Sequence, residues 1–374
     1  QRLILPKDTL PFTLGDLRAD PALILAYVSQ SQAAFSDLDV KRELAKHLND
    51  PLALRAAIDM ALASPDLVHL PDGAYTTRDY QAAETTLDTA AQAMVAQDGF
   101  GVRANSVHEA ITPQNATLHK TFGRGAQGIR RTALSVEQQA AVRHVTGDGQ
   151  LACVVGLAGA GKSTMLASAV EIWRMNGVAV HGAAVSGKAA DGLHQATGIA
   201  SRTLASLELS WKNGYDPIKR GDVLVIDEAG MVGTRALARV ADKLKAVGAK
   251  LVLVGDPDQL RPIAAGAPFQ RLIDTHGAAR LTAIHRQKED WQKHASRDLA
   301  AGDVAAAVAA YDGRGAVQRA NDRGSAILKV VTNYMADVVS HGADTSRLAL
   351  AHRRRDVFAL NQAIRAAMRH TGHI

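Results

Sequence analysis

Cysteine occurs once in the 374 residues, so no disulfide can form within the chain and a disulfide-stapled scaffold is excluded. That residue, Cys153, lies in an apolar run and reads as a buried structural thiol, which suits a reducing cytoplasm. Long hydrophobic runs are missing too. Hydrophobic residues make up 47% of the chain, yet no stretch approaches the roughly 20 apolar residues of a membrane-spanning helix. No charged-then-apolar segment opens the chain as a secretory signal would, and there are no internal repeats or low-complexity tracts. What remains is a soluble globular protein with length for two or three domains. The chain begins at Gln1 without a methionine and stops at Ile374 just after a helical pattern, which reads as a piece of something longer. A net charge of +6 allows a polyanionic partner without demanding one.

Before residue 131 the sequence carries helical spacing over residues 37–48 and 51–63. Then LVHLPDGAYTT places a Pro71-Asp72-Gly73 turn between apolar residues, which predicts a β-hairpin, and helical spacing resumes over 78–94 after a Thr76-Thr77 cap. Residues 1–130 are therefore expected to form a small, mostly helical, winged-helix-like domain. Gly-rich FGRGAQGIRR, residues 122–131, reads as a linker. From Leu151 the runs LACVV, VAVHGAA, DVLVID and KLVLVGD alternate with helical stretches such as 164–175 and 234–246. That alternation predicts an α/β domain, a parallel sheet with crossover helices, over residues 131–285. Beyond Ser325 a helix, a strand RLALAH and a helix over 356–368 are expected, within a third region spanning 286–374.

Gly156, Gly161, Lys162 and Ser163 satisfy G-x-x-x-x-G-K-[ST] between a β-type run and a helix, the context that a phosphate loop requires. Gly156, Gly159 and Gly161 let backbone N–H groups curl around phosphates, and Lys162 can reach the β- and γ-phosphates. Ser163 can hold Mg²⁺, and Thr164 extends the cradle at the positive end of the helix dipole. The expected cofactors are thus ATP and Mg²⁺. In VLVIDEAGMV two acids end an apolar strand: Asp227 as a Mg²⁺ ligand, directly or through water, and Glu228 as the base for the attacking water. An acidic pair of this kind is expected on a strand neighbouring the phosphate loop.

Three further segments separate a motor from a kinase, a GTPase or a transporter. LVLVGDPDQL ends another β-run with Asp256 and Gln259, and the glutamine can sense the γ-phosphate opposite Lys162. LTAIHRQ supplies Arg286 to neutralise charge on the transferring phosphoryl group. LSVEQQAAV carries Gln138, whose two-sided amide can read an adenine edge, or can simply cap a helix.

The order of these segments resembles superfamily 1 helicases of the RecD-like, 5′-to-3′ branch. Leu134-x-x-x-Gln138 looks like the Q motif, residues 156–164 motif I, Asp227-Glu228 motif II, Gly255-Asp256 with Gln259-Leu260 motif III, and Arg286-Gln287 motif IV. AAVSGKAADGL is similar to motif Ia, which in that family lies along single-stranded DNA, and the resemblance implies a phosphate contact for Lys188. The chain departs from the pattern at RTLASLE, where Ala205 stands in place of a histidine, which weakens any role carried onto Thr203.

Within that branch RQKEDWQKHAS, AAYDGRGAV and RLALAHRRRDVFALNQAIR resemble TraA-type conjugative relaxase-helicases, as does the N-terminal pattern ending in YTTRDYQAAE. This resemblance implies a RecA-like ATP-binding lobe with the start of a second lobe, a relaxase domain upstream, and single-stranded and duplex DNA as partners. It implies a cytoplasmic helicase acting in conjugation. The His-x-hydrophobic-His triad of a relaxase and motifs V and VI do not occur in this sequence, so the piece is expected to be incomplete for unwinding. Two alternatives stay open: a RecD-like recombination or repair helicase, and a nucleotide-dependent DNA-binding module without productive turnover. A phosphate-loop kinase is disfavoured by GDPDQL.

Overall fold

The computed structural model describes residues 14–103, 107, 134–284, 287 and 289–373, apart from 21, 261, 343 and 344. The expected linker at 122–131 and Arg286 lie outside the described residues. No helix among the described residues is long and apolar enough to cross a membrane. The chain divides into two compact units, residues 1–288 and 289–374.

The first unit opens with short helices α1 (Leu14–Ala19) and α2 (Leu23–Val28), then α3 (Asp37–Ala45) and α4 (Pro51–Leu62). Their ends are written locally. Ser36 and Asp39 form a reciprocal capping box on α3. Asp50 caps α4, and Pro51 sits at the first helical position, where a missing N–H costs nothing. Strands β1 (Leu67–His69) and β2 (Tyr75–Thr77) pair antiparallel as the expected hairpin, with Asp72 accepting the Ala74 N–H in the turn. Thr77 then caps α5 (Arg78–Val95). Leu17, Ile24, Leu25, Val28, Phe35, Val40 and Leu44 give these elements a small core of their own. Helices, hairpin and helix follow in the winged-helix-like order.

The α/β layer comprises α6 (Val136–Val145), β3 (Leu151–Gly156), α7 (Lys162–Met175), β4 (Val180–Ala184), α8 (Gly187–Thr197), β5 (Ala200–Thr203), α9 (Leu204–Lys212), β6 (Val223–Ile226), α10 (Thr234–Val247), β7 (Lys250–Gly255), α11 (Pro268–His276) and β8 (Ala279–Leu281). The six strands β3 to β8 pair in parallel in the order β5-β4-β6-β7-β3-β8. This is the parallel α/β sheet with crossover helices expected from the alternation, and it fits the RecA-like, P-loop fold that the resemblance implies. Every residue of β6 and of β7 is buried, as continuous apolar runs in a sheet covered on both faces should be. The pleat sorts them: Leu224, Ile226, Leu251 and Leu253 enter one core, while Val223, Val225, Val252 and Val254 enter the other.

One expectation about the sheet needs correction. The acidic strand β6 does not neighbour the phosphate-loop strand β3; β7 runs between them. Sequence order carries no information on lateral order, which is set by which crossover helices fill each face. A second finding concerns α5, whose Leu87, Ala90, Ala91 and Met94 pack into the same core as Leu237, Ala241 and Leu244 of α10. Burying Leu87 and Met94 contributes about 1.5–3 kcal/mol each, so the last N-terminal helix is a structural layer of the sheet.

In the second unit α12 (Asp290–Ala300) is followed by α13 (Val304–Asp312), α14 (Arg323–His341) and α15 (Arg354–His370). Val331, Leu360 and Ile364 form its small core. RLALAH, expected as a strand, is not one. Ala349 and Ala351 pack on that core while Leu348 and Leu350 are 76% and 81% exposed. The alternation is that of a strand, but no partner strand lies beside it among the described residues, and without a ladder its backbone makes no sheet.

Candidate nucleotide site

Chain order reverses around β3: the next strand, β4, lies to one side and β8 to the other. In open parallel sheets, ligands bind at the carboxyl ends of strands at such a switch point. The phosphate loop, Asp227 and Asp256 lie at that end of the sheet, because β3 runs into the loop, β6 into Asp227 and β7 into Asp256.

The phosphate loop turns on two left-handed glycines, Gly159 (φ 81°) and Gly161 (φ 82°), the second being the N-cap of α7. A side chain at either position would be strained, so the helix start meets the loop as bare backbone N–H groups. Lys162 is half-buried, and its ammonium donates to the Gly156 carbonyl at 2.5 Å and the Leu157 carbonyl at 3.4 Å. Ser163 and Thr164 stand exposed in the first turn.

Asp227 continues the pairing of β6, its N–H donating to the Ala183 carbonyl at 3.1 Å. Burial pushes its carboxyl above the usual aspartate value, opposed by the Glu228 N–H and by the Lys162 charge nearby. A carboxylate such as Asp227 and a hydroxyl such as that of Ser163 are hard oxygen donors of the kind that suits Mg²⁺. Glu228 is exposed, and at φ 54° it is the one non-glycine in the left-handed region among the described residues. Such a conformation costs on the order of 1 kcal/mol and turns the side chain out of the strand line. Its N–H donates to Asp227 Oδ1 at 2.9 Å, so the two acids are locked to each other.

Because β7 lies between β6 and β3, the motif III loop sits beside both. Buried Asp256 accepts from the Gln259 amide at 2.9 Å and from the Asp258 N–H at 3.1 Å, which braces the exposed Gln259. A Cβ on Gly230 would stand 2.6 Å from the Asp256 carbonyl, so the loops after β6 and β7 touch backbone to backbone. Lys188 is exposed in the first turn of α8, two residues after its Ser186 cap.

Gln138 is 6% exposed and committed on both sides. Its Oε1 accepts from the Ser135 N–H at 3.0 Å, and its Nε2 donates to the Ala160 and Gly161 carbonyls, each at 3.4 Å. The Ser-x-x-Gln pattern of a capping box was visible in LSVEQ, but the grip on the phosphate loop was not. Thr203 caps α9, its hydroxyl accepting from the Ser206 N–H at 3.1 Å. Sequence reasoning missed Glu137, which binds the end of β8; its partners lie 145 and 146 positions away, with no local signal.

The AAA domain family matches residues 133–322. The chain is 36% identical over 91% of its length to the conjugal transfer protein TraA of Agrobacterium fabrum, and 34% identical over 98% to a probable TraA of Sinorhizobium fredii. It spans only 30% and 33% of those proteins. A shorter stretch, 42% of this chain and 22% of the relative, is 34% identical to the ATP-dependent RecD2 DNA helicase of Deinococcus radiodurans. The chain therefore belongs to the AAA domain family.

Proposed function

We propose that this chain is the ATP-driven helicase segment of a cytoplasmic conjugative-transfer protein, with a relaxase domain upstream in the full-length protein, moving along single-stranded DNA and opening duplex in the 5′-to-3′ direction. The observation that carries the reading is the phosphate loop itself, with left-handed Gly159 and Gly161 opening α7 at the end of β3, on the same parallel sheet whose β6 ends at Asp227 with Glu228 locked to it. ATP binds at residues 156–164, with Lys162 on the β- and γ-phosphates and Gly156, Gly159 and Gly161 keeping the backbone open to them. Ser163 and Asp227 would hold Mg²⁺, which would supply charge neutralisation to the phosphates. Glu228 takes the proton of the attacking water, Gln259 faces the γ-phosphate, and Arg286 balances the charge of the transferring group. Lys188 contacts the DNA backbone, so binding weakens with salt and depends little on base sequence.

ATP hydrolysis by the chain and by Glu228→Gln, each with and without single-stranded DNA, tests the reading. DNA-stimulated turnover that disappears in the variant, with ATP binding retained, is the expected result. ATP binding without turnover in the parent would favour the binding-module alternative, and strand displacement on a 5′-tailed duplex by a protein extended past Ile374 tests the motor itself.

A further inference from the structure

The arginines of the second unit are not all used in the same way. Arg319, Arg323 and Arg347 hold the carboxylates of Asp312, Asp356 and Asp337, and Arg314 lies over the Trp291 ring, 4.4 Å from its centre. The side chains of Arg354, Arg365 and Arg369 on α15 have no ion pair, hydrogen bond or ring contact among the described residues, and all three are exposed. Positions 354, 358, 361, 365 and 369 recur at helical spacing, so they share one face of α15. At 1.5 Å per residue that face is about 22 Å long. The opposite face is the one the fold uses: Leu360 and Ile364 pack with Val331 of α14, and Ala363, Ala367 and Met368 close around them. The outer face takes no part in that core.

Its chemistry is one-sided. Asp356, the one acid in α15, is paired with Arg323, so no carboxylate of the helix offsets the three guanidiniums. Phe358 stands between them, 67% exposed, four positions from Arg354 and seven from Arg365. Exposed Asn361 adds an amide that can donate and accept. A lone apolar side chain on a surface is ordinary. An uncovered ring set among unpaired cations combines the two groups that hold single strands, cations for the phosphates and a π-face for an unstacked base. In a duplex the bases are stacked on each other, and the ring gains no such partner.

We infer that the outer face of α15 binds single-stranded DNA, with Arg354, Arg365 and Arg369 on its phosphates and Phe358 stacked on a base. This contact is additional to the one at Lys188, and it rests on the helicase reading only in taking DNA as the polymer. Phosphates and base faces are common to every sequence, so binding at this surface depends little on base identity.

Fluorescence anisotropy of a labelled oligothymidylate and of a duplex of equal length, titrated with the 374-residue chain across a salt series without nucleotide, provides the test. Phe358→Ala should weaken oligothymidylate binding about tenfold, within the range of one base–aromatic stack, and duplex binding by less than about twofold. Replacing both Arg365→Gln and Arg369→Gln should lower the slope of log affinity against log salt by about 1.4, roughly 0.7 for each phosphate contact on a single strand. Phe358→Ala should leave that slope as it is. Thermal melts should not change, because these side chains are exposed. An unaltered oligothymidylate affinity in Phe358→Ala, an equal loss on duplex, or an unaltered slope in the arginine variant overturns the inference. So does equal competition by polyglutamate of matched charge, which would mark a face that reads charge alone. Lys188→Ala separates this surface from the helicase reading. Binding lost in Lys188→Ala and kept in the α15 variants upholds that reading and removes this surface, and the reverse upholds this surface and removes Lys188 from the path of the DNA. No binding by the parent chain at low salt overturns both.

Discussion

The hydroxyls of Tyr80 and Thr234, 154 positions apart, lie 2.9 Å from each other in the buried seam between α5 and the start of α10. Thr234 comes six residues after Glu228, and its N–H donates to the Ala265 carbonyl at 3.0 Å. The Ala265 N–H in turn donates to the Gln30 carbonyl at 2.8 Å. Arg235 donates to the Ser29 carbonyl at 2.7 Å and to Asp79 at 2.5 Å, with its guanidinium 5.1 Å from the centre of the Tyr80 ring. The N-terminal helices therefore brace both the segment after the acidic pair and the segment after Gln259.

Tyr80→Phe leaves the Thr234 hydroxyl without its partner, costing about 1 kcal/mol and lowering the melting temperature by roughly 2–4 °C. Gly266→Ala is more damaging, because its Cβ would fall 2.1 Å from the Thr234 hydroxyl and 2.2 Å from that of Tyr80 at a φ of +91°. A loss above about 2 kcal/mol is expected from strain and overlap together. In a double-mutant cycle Tyr80→Phe should offset part of the Gly266→Ala penalty, since it removes one of the two clashing atoms. Strictly additive unfolding free energies would disprove the shared seam.

Gln138→Ala distinguishes reading of the base from bracing of the loop. With its amide held by Ser135, Ala160 and Gly161, the variant should weaken ATP and GTP binding to a similar degree. A loss confined to ATP would instead place the amide on the adenine edge.

Glu228→Gly should separate stability from turnover. At φ 54° and ψ 39° glycine relieves a conformation that an L-residue holds at a cost, so the variant should be more stable by roughly 0.5–1 kcal/mol. Hydrolysis should be lost with the side chain. Chemical unfolding and an ATPase assay on the same preparation decide it, and a destabilised variant would contradict the strain argument.

Lys250 is 1% exposed and donates to the Gly147 carbonyl at 2.5 Å. Burial pulls its ammonium from 10.5 down to about 8, with the Asp148 charge acting the other way. A cation with a depressed folded-state pKa destabilises the fold fully below pH 8, and the penalty fades as pH rises toward 10.5. At 1.36 kcal/mol per unit the penalty is about 3 kcal/mol. Urea unfolding of the parent should thus gain on that of Lys250→Met between pH 8 and 10. A constant difference across that range would refute the assignment.

The phosphate loop and the acidic pair could be read directly because each is a contiguous run whose chemistry and backbone geometry are local. Gly161, Lys162 and Ser163 form a loop-to-helix turn whatever surrounds them, and VLVI and KLVLVG announce buried strands by composition. The edge strands β5 and β8 escaped notice. They are short and only part-buried, so their residues carry little apolar signal. RLALAH gave the opposite error, with a strand's alternation and no neighbour to complete it.

Periodicity, capping residues and the glycine-lysine loop were determined by the sequence alone, since they depend on hydrogen bonds and torsions within a few residues. Tertiary structure decided that β7 separates the acids from the phosphate loop, that Gln138 grips that loop, and that Glu137 reaches Thr282 across 145 positions. These relations arise only when amphipathic faces choose their partners in the core, and that choice is made by the burial of the whole chain rather than by any segment of it.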